Sequence, residues 1–160
     1  MQLSSDIFSF FKKLEKNNNR EWFEQHKPEF KALETTVKQF GEALKDQLNQ
    51  HDSIDRFKLF RVYRDVRFSK DKTPYKIHFG LTWHRTKPEY RAGYYLHLKP
   101  NDIFVACGLW DPNPADLKRI RQEIDMDADE YRNIINEPNF KRIWGKLQGD
   151  AVKTAPKGYA

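Results

Sequence analysis

Apolar residues recur every three or four positions over the first third of the chain, which is the period of an α-helix. A first short helix is predicted after Ser4 or Ser5, either of which can cap it. Asn18 has the spacing of a capping box with the glutamate three residues on, so a second helix is predicted from about Asn19. Pro28 is expected to kink or restart this helix, because proline breaks the hydrogen-bond ladder. Beyond it, the spacing predicts a long amphipathic helix with an apolar stripe of Phe30, Leu33, Val37, Phe40, Leu44 and Leu48.

From Phe57 onward the period shortens to two, which is typical of β-strands. Strands are predicted over about 57–68, 77–83, 94–98 and 103–110. Their short connections favour an antiparallel meander. The helical period then returns, with short helices predicted to start near Pro114, Asp127 and Pro138. The predicted class is therefore α+β, with N-terminal helices, a central antiparallel sheet of about four strands and C-terminal helices.

The composition indicates an ordinary globular protein. Its 160 residues contain 12 Phe, 7 Tyr and 4 Trp, which supply enough apolar surface to exclude intrinsic disorder. No linker-like or repeated segment divides the chain, so a single domain over residues 1–160 is expected. No apolar run approaches the length of a membrane span, and the N-terminus lacks a signal-peptide pattern. The lone Cys107 excludes an intramolecular disulfide, and a cytoplasmic location without a membrane partner is expected.

Positive charge is concentrated in one stretch of the sequence. The whole chain has a net charge of +6. Residues 56–76 alone contain eight Lys and Arg against two Asp, which is the same surplus within 21 residues. A positive field this concentrated attracts phosphates, carboxylates or nucleic acid.

The alternation within this stretch predicts a polar sheet face. Arg61, Tyr63, Asp65 and Arg67 fall on one side of the first predicted strand. If the next two strands share that face, they add Lys76, His78, Thr82, Tyr95, His97 and Lys99. Arginine forks and aromatic rings on one face can grip a phosphate-bearing ligand. The candidate ligand-binding residues are Arg61, Tyr63, Arg64, Arg67, Lys70, Lys72, Tyr75 and Lys76.

Arg64 is unusual because it falls on the apolar side of the same predicted strand. A buried guanidinium needs a partner. The candidates are a helix carboxylate at Asp6, Glu21 or Glu24, or an anionic ligand. In the first case the motif is a structural charge network that pins the sheet to the helices.

An enzyme acting on a small anionic substrate is an alternative to a binding module. Asp65 or Asp71 would then work with His78 or His97 as acid and base. No metal-ligand spacing and no glycine-rich phosphate loop occurs, so no metal or cofactor is expected. The leading hypothesis is binding of an anionic small molecule or nucleic acid on the basic sheet and loop around residues 61–76.

Several motifs together make the chain resemble a known family. The most specific is the run from Arg61 to Lys76. The others lie at 10–14, 17–23, 26–28, 92–98, 108–110 and 155–159. They resemble the conserved family known as domain of unknown function 2461, which is found widely in bacteria. The resemblance implies one α+β domain and assigns no activity. Members of that family generally continue past the motif at 155–159, so this chain is expected to be truncated relative to them.

Overall fold

The computed structural model describes residues 2–149, 151, 153–156 and 158–159, and it confirms the α+β class. Helices come first, a four-stranded antiparallel sheet follows, and further helices complete the described chain. The chain divides into two compact units, Met1–Trp110 and Asp111–Ala160. The expectation of a single domain stays a prediction. Within the described ranges, no helix is both long enough and apolar enough to cross a membrane.

The first unit begins with two helices, α1 (Asp6–Lys16) and α2 (Arg20–Leu48). Asn19 caps α2, because its Oδ1 accepts a 2.9 Å hydrogen bond from the backbone N–H of Trp22. The expected restart at Pro28 is wrong, since α2 continues through it. Proline removes one hydrogen bond, but Phe23 and Phe30 on either side of it are buried in the core and hold the helix together.

The sheet contains β1 (Ile54–Leu59), β2 (Phe79–Arg85), β3 (Gly93–Lys99) and β4 (Asp102–Gly108), in that spatial order. The last three match the predicted strands. The first ends at Leu59, so the prediction of a strand to residue 68 is wrong. Between β1 and β2 the only isolated bridge in the described chain pairs Tyr63 with Tyr75. The segment between these tyrosines has no neighbouring strand and is organised by its own side chains.

The core of the first unit lies between the helices and one face of the sheet. The ring centroids of Phe11 and Phe30 lie 4.9 and 5.6 Å from that of Phe79. Gly41 brings α2 close to the sheet, and its carbonyl accepts a 2.9 Å hydrogen bond from the indole of Trp83. The buried residues are Ile7, Phe10, Phe11, Leu14, Phe23, Phe30, Val37, Ile54, Val62, Tyr75, Phe79, Leu81, Trp83 and Leu98.

The second unit contains α3 (Pro114–Met126), α4 (Ala128–Asn136) and α5 (Pro138–Trp144). These helices begin where the capping pattern predicts. Asp127 Oδ1 accepts a 2.8 Å hydrogen bond from the backbone N–H of Glu130 at the start of α4. Glu137 caps α5 in the same way through the N–H of Phe140. Residues 1, 150, 152, 157 and 160 lie outside the described part, and they include one position of the predicted motif at 155–159.

Candidate functional site

The face of the sheet that points away from α1 and α2 carries a row of rings. We call this surface the outer face and define it by Arg56, Lys58, Phe60, Lys76, His78, Gly80, Thr82, His84, Tyr95, His97, Lys99, Asp102, Phe104 and Ala106. The backbone N–H of Phe60 donates to the carbonyl of Gly80. Gly80 pairs with His97, and His97 pairs with Phe104. Phe60, Gly80, His97 and Phe104 therefore lie side by side across four adjacent positions of the sheet.

The rings of this row are in direct contact with their neighbours. The imidazole of His97 stacks on Phe104 with centroids 4.8 Å apart and planes 12° apart. The His78 ring lies 4.3 Å from that of His97. Tyr95 Oη and His97 Nδ1 are 2.9 Å apart, within hydrogen-bond distance. The side chains hold one another in fixed orientations, which lowers the entropy cost of using them to bind a ligand.

Gly80 has no side chain, and this absence lets the rings of Phe60 and Tyr95 approach each other over the middle of the row. A Cβ at this position would lie 2.9 Å from Tyr95 Oη and 3.2 Å from Phe60 Cδ2. The space that a side chain would fill is thus already occupied by the two rings. Phe60 and Phe104 remain 36% and 44% exposed at the two ends of the row.

Lysines flank the rings. The Nζ atoms of Lys58 and Lys76 lie 5.1 and 5.7 Å from the centroid of Phe60. Lys99 lies on the same face of β3, next to His78 in the register. These positions combine cationic groups with aromatic surface in one area.

Burial lowers the pKa values of several bases on the outer face, and neighbouring cations add to the effect. Burial, His97, Lys76 and Lys99 lower the pKa of His78 to about 4. Burial, followed by Arg56, Lys87 and Lys58, lowers the pKa of His84. Burial also lowers the pKa of Lys76, with Arg61 and Lys58 adding repulsion. The cations are close enough to act on one another, and His78 is uncharged at neutral pH.

The predicted partner of Arg64 is wrong, because the guanidinium does not pair with a helix carboxylate. Its Nη1 donates to the carboxylate of Asp71 and to the hydroxyl of Thr73, both in the same loop. We call residues 64–73 the finger. Its other ion pair joins Arg67 Nη2 to Asp65 Oδ2 at 2.7 Å. The arginines of the motif are therefore neutralised within the finger rather than against the helices.

The base of the finger is anchored to α2 and to the segment before it. The side chain of Asn18 accepts a 3.1 Å hydrogen bond from the N–H of Tyr75 and donates a 3.0 Å bond to its carbonyl. The Tyr75 ring stacks on Phe23 with a centroid distance of 4.0 Å. The prediction that Asn18 belongs to the cap of α2 is wrong, since its side chain bonds to a residue 57 positions away.

The eight predicted ligand-binding residues fall in three places. The first place holds Lys76, on the outer face, and the neighbouring exposed Arg61, whose carbonyl accepts a 3.0 Å hydrogen bond from Lys76 Nζ. Tyr63, Arg64 and Tyr75 line a cavity of about 340 Å³ together with Arg20, Glu24, Val66 and Pro74. Arg67, Lys70 and Lys72 lie on the finger, where Lys72 Nζ donates to the carbonyl of Val66.

Sequence reasoning missed Lys58, Phe60 and Phe104 as site residues. Phe60 falls on the apolar side of the alternation that predicts a longer first strand, and this pattern assigns it to the core. Phe104 sits between Ile103 and Val105, so the alternation of β4 carries no contrast between its two faces. Lys58 belongs to the basic stretch of residues 56–76, and this concentration of positive charge is the sequence signal that could have identified it.

The acid and base residues of the enzyme hypothesis are separated. The Asp65 carboxylate is bonded to Arg67, and that of Asp71 to Arg64 and Thr73. His97 Nε2 lies 3.9 Å from Asp102 Oδ2, which is beyond hydrogen-bond distance. Within the described ranges, no three His, Cys, Asp or Glu side chains are grouped to hold a metal ion. The enzyme hypothesis stays a prediction.

A larger cavity of about 520 Å³ lies at the end of α2, lined by Leu44, Gln47, Leu48, His51, Asp52, Arg85 and Tyr94. The Asp52 carboxylate accepts hydrogen bonds from Arg85 Nε at 2.9 Å and from Tyr94 Oη at 2.7 Å. The Tyr94 bond, with help from Ser53 and Arg85, lowers the pKa of Asp52. This carboxylate joins β2 and β3 to the turn after α2, which is a structural role.

Comparison with known proteins identifies the family of the chain. No curated protein and no solved structure matches it. The profile of the family described as "Conserved hypothetical protein (DUF2461)" matches residues 6–160. This range contains both helices of the first unit, the whole sheet and the finger. The chain therefore belongs to the family of conserved hypothetical proteins called DUF2461.

Proposed function

We propose that the outer face binds single-stranded nucleic acid. The observation that carries the proposal is the row of Phe60, His97 and Phe104 with lysines on both sides. Aromatic rings on a sheet stack with unpaired bases, while lysine and arginine neutralise the phosphates between them. Phe60 and Phe104 supply the exposed rings, and the cations are Arg56, Lys58, Lys76 and Lys99.

A single strand suits this surface better than a duplex. The bases of a duplex are stacked on one another and hide their faces from a protein ring. The outer face offers ring surfaces close to the sheet, whereas duplex recognition commonly places a helix in the major groove. An extended strand can place its bases on Phe60 and Phe104 while its backbone passes the lysines. A cytoplasmic location is consistent with this ligand and with the free, exposed Cys107.

The test is fluorescence anisotropy with labelled single strands of about 10 nucleotides. Neutralisation of about four phosphates should give a slope of log K against log salt near −3, since each contributes about −0.7. Phe104→Ala should weaken binding by about 1–3 kcal/mol, the usual value of one stacked base. Lys58→Ala should make the salt slope less steep.

Matched controls lie close to these residues. Ile103→Ala removes an exposed apolar side chain from the same strand but from the opposite face. Lys38→Ala removes a cation from α2, where Lys38 pairs with Glu34 at 3.6 Å. Both controls should bind like the unaltered protein. Failure of every strand to bind at low salt, or equal losses in Phe104→Ala and Ile103→Ala, would refute the proposal.

The cavity beside the finger supports a second candidate, which is binding of a small anion. Tyr63, Arg64 and Tyr75 meet there with Arg20 at the start of α2. Burial raises the pKa of the Tyr75 hydroxyl, which keeps it protonated and able to donate a hydrogen bond. A thermal-shift screen with inorganic phosphate and mononucleotides tests this candidate. A shift that disappears in Arg20→Ala and persists in Phe104→Ala would support it.

A further inference from the structure

Phe68 is the unexplained residue of the finger. Its side chain is 96% exposed. The alternation of the sequence assigns it to an apolar face, yet the structure places it in solvent. A fully exposed aromatic ring costs the protein solvation free energy and contributes nothing to the core. A ring presented in this way on an ordered loop is available for contact with another molecule.

The finger that presents Phe68 is held by bonds within itself. Arg64 joins Asp71 and Thr73 on the opposite side of the loop. Lys72 Nζ donates to the carbonyl of Val66 at 2.9 Å. The backbone N–H of Ser69 donates to the same carbonyl at 3.4 Å. These bonds fix the loop before any partner arrives, which lowers the entropy cost of binding through Phe68.

Charge around the tip points to an anionic partner. Lys70 and Lys72 are exposed just after Phe68, whereas the charge of Arg67 before it is paired with Asp65. The Arg67 guanidinium carbon lies 6.0 Å from the Phe68 ring. The two carboxylates of the finger, Asp65 and Asp71, are each bonded to an arginine, so they do not cancel the lysine charges.

We propose that Phe68 stacks on a base of the same single strand that crosses the outer face, so that the finger is a second contact point. This inference rests on the proposed function. The chain leaves the sheet with Phe60 on the outer face and returns with Lys76 and His78 on that same face. The finger lies between them, and the bridge of Tyr63 with Tyr75 joins its two ends. Its cations would continue the path of the phosphates beyond the lysines of the sheet.

A lipid surface is the competing partner, and the structure favours the nucleic acid. Phe68 is the one large apolar side chain that the described finger exposes. Insertion of a single ring into a membrane gives only weak, reversible attachment. Stacking of a nucleotide base needs one face of an aromatic ring, with cations beside it for the phosphates. The tip of the finger has both.

The experiment compares Phe68→Ala with Phe104→Ala on strands of two lengths, about 4 and about 15 nucleotides. We expect Phe68→Ala to weaken the long strand by about fivefold or more and to leave the short strand unchanged. Phe104→Ala should weaken both. Phe68→Tyr keeps a stacking ring and should restore affinity for the long strand, whereas Phe68→Leu should not. Ser69→Ala is the matched control within the finger, and thermal melts show that each variant is folded.

The outcomes distinguish a failure of the Phe68 contact from a failure of nucleic-acid binding by the outer face. Unchanged long-strand binding in Phe68→Ala, with a loss in Phe104→Ala, overturns the finger contact and leaves the proposed function standing. Absence of binding in the unaltered protein overturns the proposed function first. Sedimentation with vesicles of phosphatidylserine and phosphatidylcholine gives the third arm. Vesicle binding that needs Phe68, without an effect of Phe68→Ala on the long strand, overturns the nucleic-acid contact in favour of a membrane.

Discussion

The guanidinium of Arg64 donates to the carboxylate of Asp71, seven residues further along the same loop. Thr73 completes the arrangement, because its backbone N–H and its hydroxyl both donate to Asp71 Oδ1, at 2.9 and 2.8 Å. The backbone N–H of Thr73, the Arg64 bond and the Thr73 hydroxyl lower the pKa of Asp71 to about 2. The Asp71 carboxylate therefore links the two sides of the finger through hydrogen bonds.

Asp71→Asn should loosen the finger although it makes the protein more positive. The amide cannot accept three strong hydrogen bonds as the carboxylate does. Trypsin should then cleave faster after Arg67, Lys70 and Lys72, all of which are exposed. Binding of long single strands should weaken, whereas a purely electrostatic contact would strengthen with the added positive charge.

The Tm of Asp71→Asn should stay within about 5 °C of the unaltered protein, because the pair is partly exposed. Asp129→Asn removes a carboxylate from the exposed pair with Arg132 in the second unit and serves as the control. The pKa of Asp71 lies below its ordinary value, so its stabilisation is complete above about pH 4. Protection against proteolysis by an acid protease should decline as the pH falls from about 4 to about 2. Equal cleavage of both variants would contradict the role of Asp71.

His78 should make the first unit less stable in mild acid. Burial, then His97, Lys76 and Lys99, lowers its pKa to about 4, so the folded state favours the neutral ring. The stabilisation is present above the ordinary pKa of about 6.5 and is lost as the pH falls toward 4. Melts between pH 7.5 and pH 4 should show a shallower decline of Tm in His78→Gln than in the unaltered protein.

The control for this titration is His51→Gln, which changes an exposed histidine after α2. An equal change of the pH dependence of Tm in both variants would mean that His78 is not the group responsible. NMR of the ring protons of His78 measures the pKa directly. A value near 6.5 would show that the ring is not buried among the cations of the outer face.

Asn18→Ala should destabilise the first unit by about 2 kcal/mol. The substitution leaves both the N–H and the carbonyl of Tyr75 without the Asn18 side chain, and Tyr75 is only 3% exposed. Urea denaturation measures the change in the free energy of unfolding. Asn17→Ala is the control, because its amide bonds to Lys13 on the exposed side of α1. A similar small effect of both substitutions would mean that the Asn18 bonds contribute nothing.

Gly41→Ala should lower stability by about 1–3 kcal/mol, despite the higher helix propensity of alanine. The added methyl group would lie 2.1 Å from the ring of Phe57, which cannot move without disturbing Trp83, whose ring centroid is 5.4 Å away. Glu42→Ala at the next, exposed position should change stability by less than about 0.5 kcal/mol. The double variant Gly41→Ala with Phe57→Leu should recover part of the loss, and denaturant melts of the four proteins check this.

The sequence by itself determined the elements whose hydrophobic period is unbroken. The stripes of α1 and α2, the cap of α4, the start of α5 at Pro138 and the alternation in β2 and β3 all appear where the pattern predicts them. Helices α1 and α2 and strands β2 and β3 each place apolar residues in the core, and this burial leaves its period in the sequence. The resemblance carried by the run from Arg61 to Lys76 also identified the family correctly.

Tertiary structure decided what happens between β1 and β2. The alternation from Phe60 to Phe68 is interrupted only by Arg64, but a strand also needs a neighbour to pair with. No strand lies beside residues 64–73 in the described chain, and Asp65 and Asp71 bond the backbone N–H groups that a sheet would have used. Because this segment has no neighbouring strand, Phe68 is exposed and Arg64 pairs within the finger.

The outer face likewise depends on the pairing register between neighbouring strands, which the sequence of one strand does not specify. Phe60, Gly80, His97 and Phe104 come from four separate segments and become neighbours only when the strands align. A shift of one residue in any pairing would move that strand's ring to the helix side. In β2 and β3 the local alternation indicates which side of the sheet a residue faces, but the partner across the sheet is set by the packing of Phe79, Leu81 and Trp83 against α1 and α2.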